Sequence, residues 1–210
     1  DTSISGSGEH RPNDEISIGS RIITRKGSRR IAPEAFKIAR TRERKLVTAV
    51  HKEAVYRLTC GMFAEECRKV ASEFPDVEFN EIHIDTIAAH LVMEPGQFDV
   101  VVTTNQFGDI LTDLGAGLVG GLGLAPGLCV GERQAMAQAT HGSAPDISGQ
   151  NIANPYAMIM SGKMLFEWLG HKRQVDEALK GADLVEAAME TVISEAHAVT
   201  RDLGGEASTQ

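Results

Sequence analysis

The chain has 210 residues, 42% of them hydrophobic and 24% charged, enough apolar material for one or two globular domains and too much for wholesale disorder. Asp and Glu outnumber Lys and Arg by 29 to 21, and the resulting net charge of −8 argues against nucleic acid or an anionic membrane as a partner gripped through the overall field. Three cysteines, Cys60, Cys67 and Cys129, form no C-x-x-C pair, so neither a disulfide framework nor a structural zinc site is expected, and a reducing, cytoplasmic location fits.

In chain order, the first ten residues are Gly/Ser-rich and read as loose. Residues 15–24 alternate through Ile16 and Ile18 to Ile22 and Ile23 and read as a strand. Pro33 sits where a first helical turn tolerates it, which predicts a helix over 34–44. Residues 45–50 are a short β-rich run ending at His51 and Lys52, and 59–74 read as a helix closed by Pro75. A second run of strand type, 79–84, ends on Asp85, and a helix over 87–93 stops before Pro95. Residues 98–104 are nearly all β-branched or apolar, as a strand buried on both faces would be, and lead to Asn105. A helical segment follows at 109–118.

The longest uncharged run, 114–131, carries seven glycines and Pro126, a composition unsuited to a lipid-facing helix, so no membrane span is expected. Its second part, 120–131, is punctuated densely enough for a hinge or domain boundary. Helices are predicted over 154–169, which holds the single tryptophan Trp168, and over 175–199; Leu203-Gly204-Gly205 is turn-like. Strands alternating with helices give an α/β fold whose sheet is at least partly parallel.

Three strand-like runs each end on a residue capable of chemistry: Lys52, Asp85, and Asn105 with Asp109 just beyond. Strands commonly end in polar loops, but open α/β sheets also bind ligands outside the carboxyl ends of their strands. Asp109 and Asp113, four apart on a helix, place two repelling carboxylates on one face. They are either an ordinary solvated face or ligands for a hard cation such as Mg²⁺. The G-x-G-x-x-G at Gly115, Gly117 and Gly120 lacks the strand a dinucleotide fingerprint needs immediately before it, and reads instead as small residues permitting close helix contact, then a bend. The segment His141-Gly142-Ser143-Ala144-Pro145-Asp146-Ile147 is a loop of small residues with one imidazole and one carboxylate. Such a carboxylate can accept from both hydroxyls of an adenosine ribose and repel a 2′-phosphate, and the amide of Asn154 can read an adenine edge.

Residues 105–124, Asn-Gln-Phe-Gly-Asp-Ile-Leu-Thr-Asp followed by Gly-Leu-Val-Gly-Gly-Leu-Gly-Leu, closely resemble the signature of the metal-dependent decarboxylating dehydrogenases, the isocitrate/isopropylmalate dehydrogenase family. The 141–154 segment resembles that family's adenosine loop, and Leu203-Gly204-Gly205 its C-terminal end; the similarity runs from about Gly8 onward. The resemblance implies an isocitrate/isopropylmalate dehydrogenase-like α/β fold of two domains and NAD-dependent oxidation, then β-decarboxylation, of a small 2-hydroxy acid of the 3-isopropylmalate or isocitrate type. A tartrate/malate-type substrate, or a non-catalytic subunit that serves as a dimerisation remnant, is the alternative.

By the same resemblance, Lys52 serves in proton transfer, Asp85 joins it in catalysis, and Asp85, Asp109 and Asp113 surround Mg²⁺ or Mn²⁺. His141, Gly142, Ser143, Ala144, Asp146, Ile147 and Asn154 hold the cofactor, with Asp146 and Ile147 in the NAD rather than the NADP pattern. Lys52 and Asp85 would complete the site of a neighbouring subunit, implying a homodimer with shared active sites. Residues 1–120 would be a small dimer-forming domain and 121–210 the C-terminal part of a large nucleotide-binding domain, the family's opening half being absent from this chain. Two departures stand out: Ala54 replaces an Asn two residues after the lysine, and Gln138 replaces a Glu ahead of His141.

Overall fold

The computed structural model describes residues 8–196 and 198–209, so residues 1–7 of the Gly/Ser-rich opening lie outside the described residues. By its internal contacts the chain divides into two compact units, meeting between Leu114 and Gly115.

The first unit opens with an antiparallel hairpin, β1 (Glu9–Asn13) and β2 (Ile16–Gly19), both strands exposed along their whole length. The Asn13 side chain accepts from the Glu15 amide at 2.9 Å and closes the turn. The single strand expected over 15–24 therefore ends at Gly19, and β1 lies partly in the stretch read as loose. Helix α1 (Arg25–Arg40) starts nine residues earlier than predicted, capped by the Thr24 hydroxyl, which accepts from Gly27 N at 3.1 Å. Pro33 lies inside it rather than in its first turn. The lost hydrogen bond falls on the carbonyl of Arg29, an exposed residue where solvent can replace the partner. Ser28, Ala32, Ala35, Phe36 and Ala39 form the buried stripe at helical spacing.

Strands β3 (Leu46–His51), β4 (Glu78–His83) and β5 (Val100–Thr103) form a parallel sheet in the order β4-β3-β5. Every residue of the central strand is buried, because helices cover both faces. Val47 and Ala49 pack with Phe36 of α1 and with Phe63 and Val70 of α2 (Thr59–Ala71). Val50, pointing the other way, packs with Ile87 of α3 (Ile84–Met93) and Leu111 of α4 (Asn105–Val119). The Phe36 ring stacks on Phe74 at 5.1 Å and meets Phe79 at 5.8 Å.

In the second unit β6 (Leu128–Val130) pairs antiparallel with β7 (Ala135–Ala137), two strands too short to leave a periodic trace in the sequence. Helices α5 (Tyr156–Arg173) and α6 (Asp176–Glu195) pack on each other across a two-residue link whose Gln174 takes φ 57°. Their close approach depends on Gly170: a Cβ there would lie 2.4 Å from Leu179 Cδ2. Gly115 and Gly117 lie inside α4 with no strand immediately before them, and a Cβ at either would meet nothing within 4 Å, so the close helix contact expected of them is not made among the described residues. Cys60 and Cys67 are buried and Cys129 exposed, all three free. Among the described residues no helix is long and apolar enough to cross a membrane.

Candidate active site

The register of the parallel sheet decides which residues share an edge. His51 pairs with His83 and Val50 with Thr103, so Lys52, the start of α3 and the start of α4 leave the carboxyl ends of three adjacent strands together. Lys52 Nζ donates to Asp85 Oδ1 as an ion pair. Asp85 does not end a strand, as its sequence position suggested; it lies in the first turn of α3, where helix amides favour a carboxylate. The Lys52 hydrogen bond, with backbone donors second, holds its carboxyl below the usual range. The Lys52 carbonyl accepts from Val55 N at 3.0 Å and Tyr56 N at 2.8 Å, turning the chain sharply after the lysine.

Below this pair sits a polar cluster. Arg68 of α2 donates from Nε to Glu81 Oε2 at 2.9 Å and from Nη2 to Glu53 Oε2 at 2.8 Å. The Glu53 amide donates to His51 Nδ1 at 3.2 Å, and His51 Nε2 lies 3.3 Å from Glu81 Oε1, off the line of a well-directed hydrogen bond. Burial, ahead of the opposing pull of Glu81 and Glu53, moves the buried His51 imidazole toward its neutral form. Burial also pushes the Cys67 thiol up to about 12, so it stays protonated.

At the next strand end, Arg21 Nη2 donates to Thr104 Oγ1 at 2.6 Å while its guanidinium lies 4.6 Å over the Phe107 ring and 5.9 Å from that of Tyr56. It thereby ties the first turn of α4 to the turn after Lys52. Further along α4, Asp109 and Asp113 are exposed, and neither carboxylate has a hydrogen-bond or ion-pair partner among the described residues. Asp85 is not gathered with them: among the described residues no three His, Cys, Asp or Glu side chains form a group able to hold a metal ion.

In the second unit the 141–154 segment is an exposed loop. Ala144 takes the left-handed conformation at φ 42° and leads into a 3-10 turn, Pro145–Ile147. His141 Nδ1 lies 2.9 Å from the Gly142 carbonyl, and Ser143 is exposed. A Cβ at Gly142 would meet nothing within 4 Å. The Asp146 carboxylate is exposed and has no partner among the described residues, while its carbonyl accepts from Gln150 Nε2 at 2.8 Å. Asn154 is already engaged: Nδ2 donates to Asp202 Oδ2 at 2.9 Å and Oδ1 accepts from Tyr156 N at 2.9 Å, at the start of α5. One amide hydrogen and one lone pair are left for any ligand.

Sequence reasoning missed Arg21, Arg68, Glu53, Glu81, His51 and Asp202. Arg68 reads as an ordinary basic residue in a last helical turn, and Asp202 as turn polarity. The one available signal was Glu53, a carboxylate directly after the lysine.

A family model described as isocitrate/isopropylmalate dehydrogenase matches residues 3–210. The chain is 49% identical over 195 residues to the 3-isopropylmalate dehydrogenase of Archaeoglobus fulgidus, covering 93% of this chain and 57% of that protein. Against the isocitrate/homoisocitrate dehydrogenase of Thermus thermophilus it is 45% identical over 196 residues, covering 93% and 56%. The crystal structure of isocitrate dehydrogenase from Methylococcus capsulatus superposes with a TM-score of 0.86 at 44% identity, covering 95% of this chain and 58% of that one. The chain thus spans a little over half the length of the relatives it matches. With the parallel sheet, the strand-end lysine and the paired aspartates in agreement, it belongs to the isocitrate/isopropylmalate dehydrogenase family.

Proposed function

We propose that the protein carries out NAD-dependent, Mg²⁺- or Mn²⁺-dependent oxidative decarboxylation of a 2-hydroxy acid of the 3-isopropylmalate/isocitrate type, as a homodimer. The observation that carries this reading is the Lys52–Asp85 ion pair at the carboxyl edge of the sheet, with two unpartnered carboxylates on the helix that leaves the adjacent strand. The donor set is all carboxylate oxygen, which suits a hard divalent ion. Asp109 and Asp113 of one copy and Asp85 of a second would hold it, since one chain does not assemble the three. When bound, the ion supplies polarisation of the substrate's C2 oxygen and compensates the negative charge left by loss of CO₂.

The residues of the chain divide the remaining work. Lys52 Nζ, oriented by the Asp85 carboxylate, holds and moves the proton at the substrate oxygen or carbon. The exposed Asp146 carboxylate accepts from the ribose hydroxyls of NAD and repels the 2′-phosphate of NADP, while Gly142, Ser143 and Ala144 leave the loop backbone open to the adenosine. His141, Ile147 and the free half of the Asn154 amide complete that contact surface. Residues 1–120 act as the dimer-forming part and 121–210 as part of the nucleotide-binding domain. Exposed Ile16, Ile18, Val92, Met93 and Ile110 support burial against a second copy. Three free thiols support a reducing compartment, the cytoplasm.

The test supplies the protein with NAD, Mn²⁺ and a panel of 2-hydroxy acids that includes tartrate and malate, and follows reduced cofactor. Turnover of an isopropylmalate- or isocitrate-type acid is expected. A folded dimer that turns over none of them would refute the proposal and favour a non-catalytic subunit, the reading to which Ala54 and Gln138 point.

A further inference from the structure

Lys52 stands between two residues, His51 and Glu53, that are tied to the same guanidinium. Glu53 reaches Arg68 Nη2 directly, at 2.8 Å. His51 is linked to it more loosely, by an electrostatic contact: Glu81 Oε1 lies 3.3 Å from His51 Nε2 without a directed hydrogen bond, and Glu81 Oε2 accepts from Arg68 Nε at 2.9 Å. The Glu53 amide closes the ring by donating to His51 Nδ1 at 3.2 Å. A backbone amide can only donate, so Nδ1 is the acceptor and the neutral imidazole carries its hydrogen on Nε2, toward Glu81. Gly61 makes room on α2: a Cβ there would come within 3.3 Å of Glu53 Oε1.

Three elements, the end of β3, the middle of β4 and the last turn of α2, thus meet at Arg68 and engage the residues on either side of the lysine. We infer that Arg68 is a positioning residue, a clamp that fixes Lys52 through Glu53 on one side and through Glu81 and His51 on the other. The inference rests on the proton-transfer role proposed for Lys52 and adds the device that holds it still. A guanidinium suits the task because its planar fork engages two carboxylates at once, whereas an ammonium is a single point of charge. Partly exposed ion pairs add little to stability, so loss of the clamp should leave the fold standing while loosening the turn that begins at Lys52. Displacement of a reacting group by an ångström costs on the order of a hundredfold in rate.

The experiment compares the full chain with its Arg68→Gln, Arg68→Lys and Glu53→Gln variants by thermal melting, by nitrogen NMR of the His51 ring and by kcat and KM. The clamp predicts a kcat about ten- to a hundredfold lower in Arg68→Gln with KM for NAD unchanged, partial recovery in Arg68→Lys, and a similar but smaller loss in Glu53→Gln. In the parent the His51 ring shows a single Nε2–H tautomer, and in Arg68→Gln a mixture of both. Parental kcat and a parental His51 spectrum in folded Arg68→Gln would overturn the inference. If Arg68→Gln fails to fold, Glu53→Gln, which alters only the Glu53 side of the clamp, decides by kcat, a parental value overturning the inference. A parent without dehydrogenase activity would refute the proposed function alone, because the His51 spectrum still reports whether Arg68 locks the ring.

Discussion

Replacing Phe36 with alanine tests whether the strand that presents Lys52 owes its position to the core on one face of the sheet. The ring is fully buried, stacks on Phe74 at 5.1 Å and meets Phe79 at 5.8 Å, and packs in the same cluster as Val47 and Ala49 of β3. Truncating a buried Phe costs ~3–5 kcal/mol, the upper part of that range applying where neighbours cannot collapse into the space. Here two further rings and a central strand pinned on both sides restrict collapse, so about 4 kcal/mol is expected. Whole-chain melting would mix two compact units, whereas hydrogen exchange of the β3 amides reads the first unit alone. At about 1.4 kcal/mol per factor of ten, their protection should fall roughly a thousandfold. Phe36→Leu, which refills most of the volume, should lose distinctly less. A loss below about tenfold in Phe36→Ala, with the fold retained, would refute the assignment of this ring to the centre of the core.

Asp85 titrates below the usual carboxylate range because Lys52 donates to it, so the pair is intact above that range and breaks as pH falls through the lowered value. In Lys52→Met the Asp85 carboxyl midpoint, followed by carbon NMR, should move up toward the ordinary value; an unmoved midpoint would mean the contact does not persist in solution. Asp109→Asn and Asp113→Asn should each weaken Mn²⁺ uptake at least about tenfold by calorimetry, since each removes one of few anionic ligands. Either change should leave stability level or raise it by a few tenths of a kcal/mol, because like charges four apart on a helix repel. Gly170→Ala should destabilise the α5–α6 pair by ~1–3 kcal/mol in denaturant titration, since Leu179 Cγ as well as Cδ2 occupies the space of the new methyl. A gain in stability there would show that Leu179 swings clear and helix propensity prevails.

The parallel sheet was legible because its strands are short and bounded, and β3 and β5 are largely apolar: 45–50, 79–84 and 98–104 each lie within two residues of an observed strand. The starts of α1 and α3 were not. The buried stripe of α1 is built mainly from Ser28, Ala32, Ala35 and Ala39, whose small side chains give little hydrophobic signal beside Arg25, Lys26, Arg29 and Arg30. Ile84 is apolar enough to continue the preceding strand, so Asp85 looked like a strand end rather than the first turn of a helix. Lys52, Asp85, Asp109 and Asp113 could be singled out because strand-like runs that end on polar residues, and helical spacing, are sequence properties. The Arg68 cluster could not, since it joins residues 13 and 15 positions apart across separate elements.

The three thiols differ sharply in reach. Cys60 and Cys67 are sealed in the first unit, and Cys67 keeps its proton far above neutrality, while Cys129 lies open on β6 in the second. A maleimide dye at neutral pH should therefore load one per folded chain, giving a native fluorescent handle on the second unit with no engineered cysteine. Uptake of three under denaturant would supply the internal control.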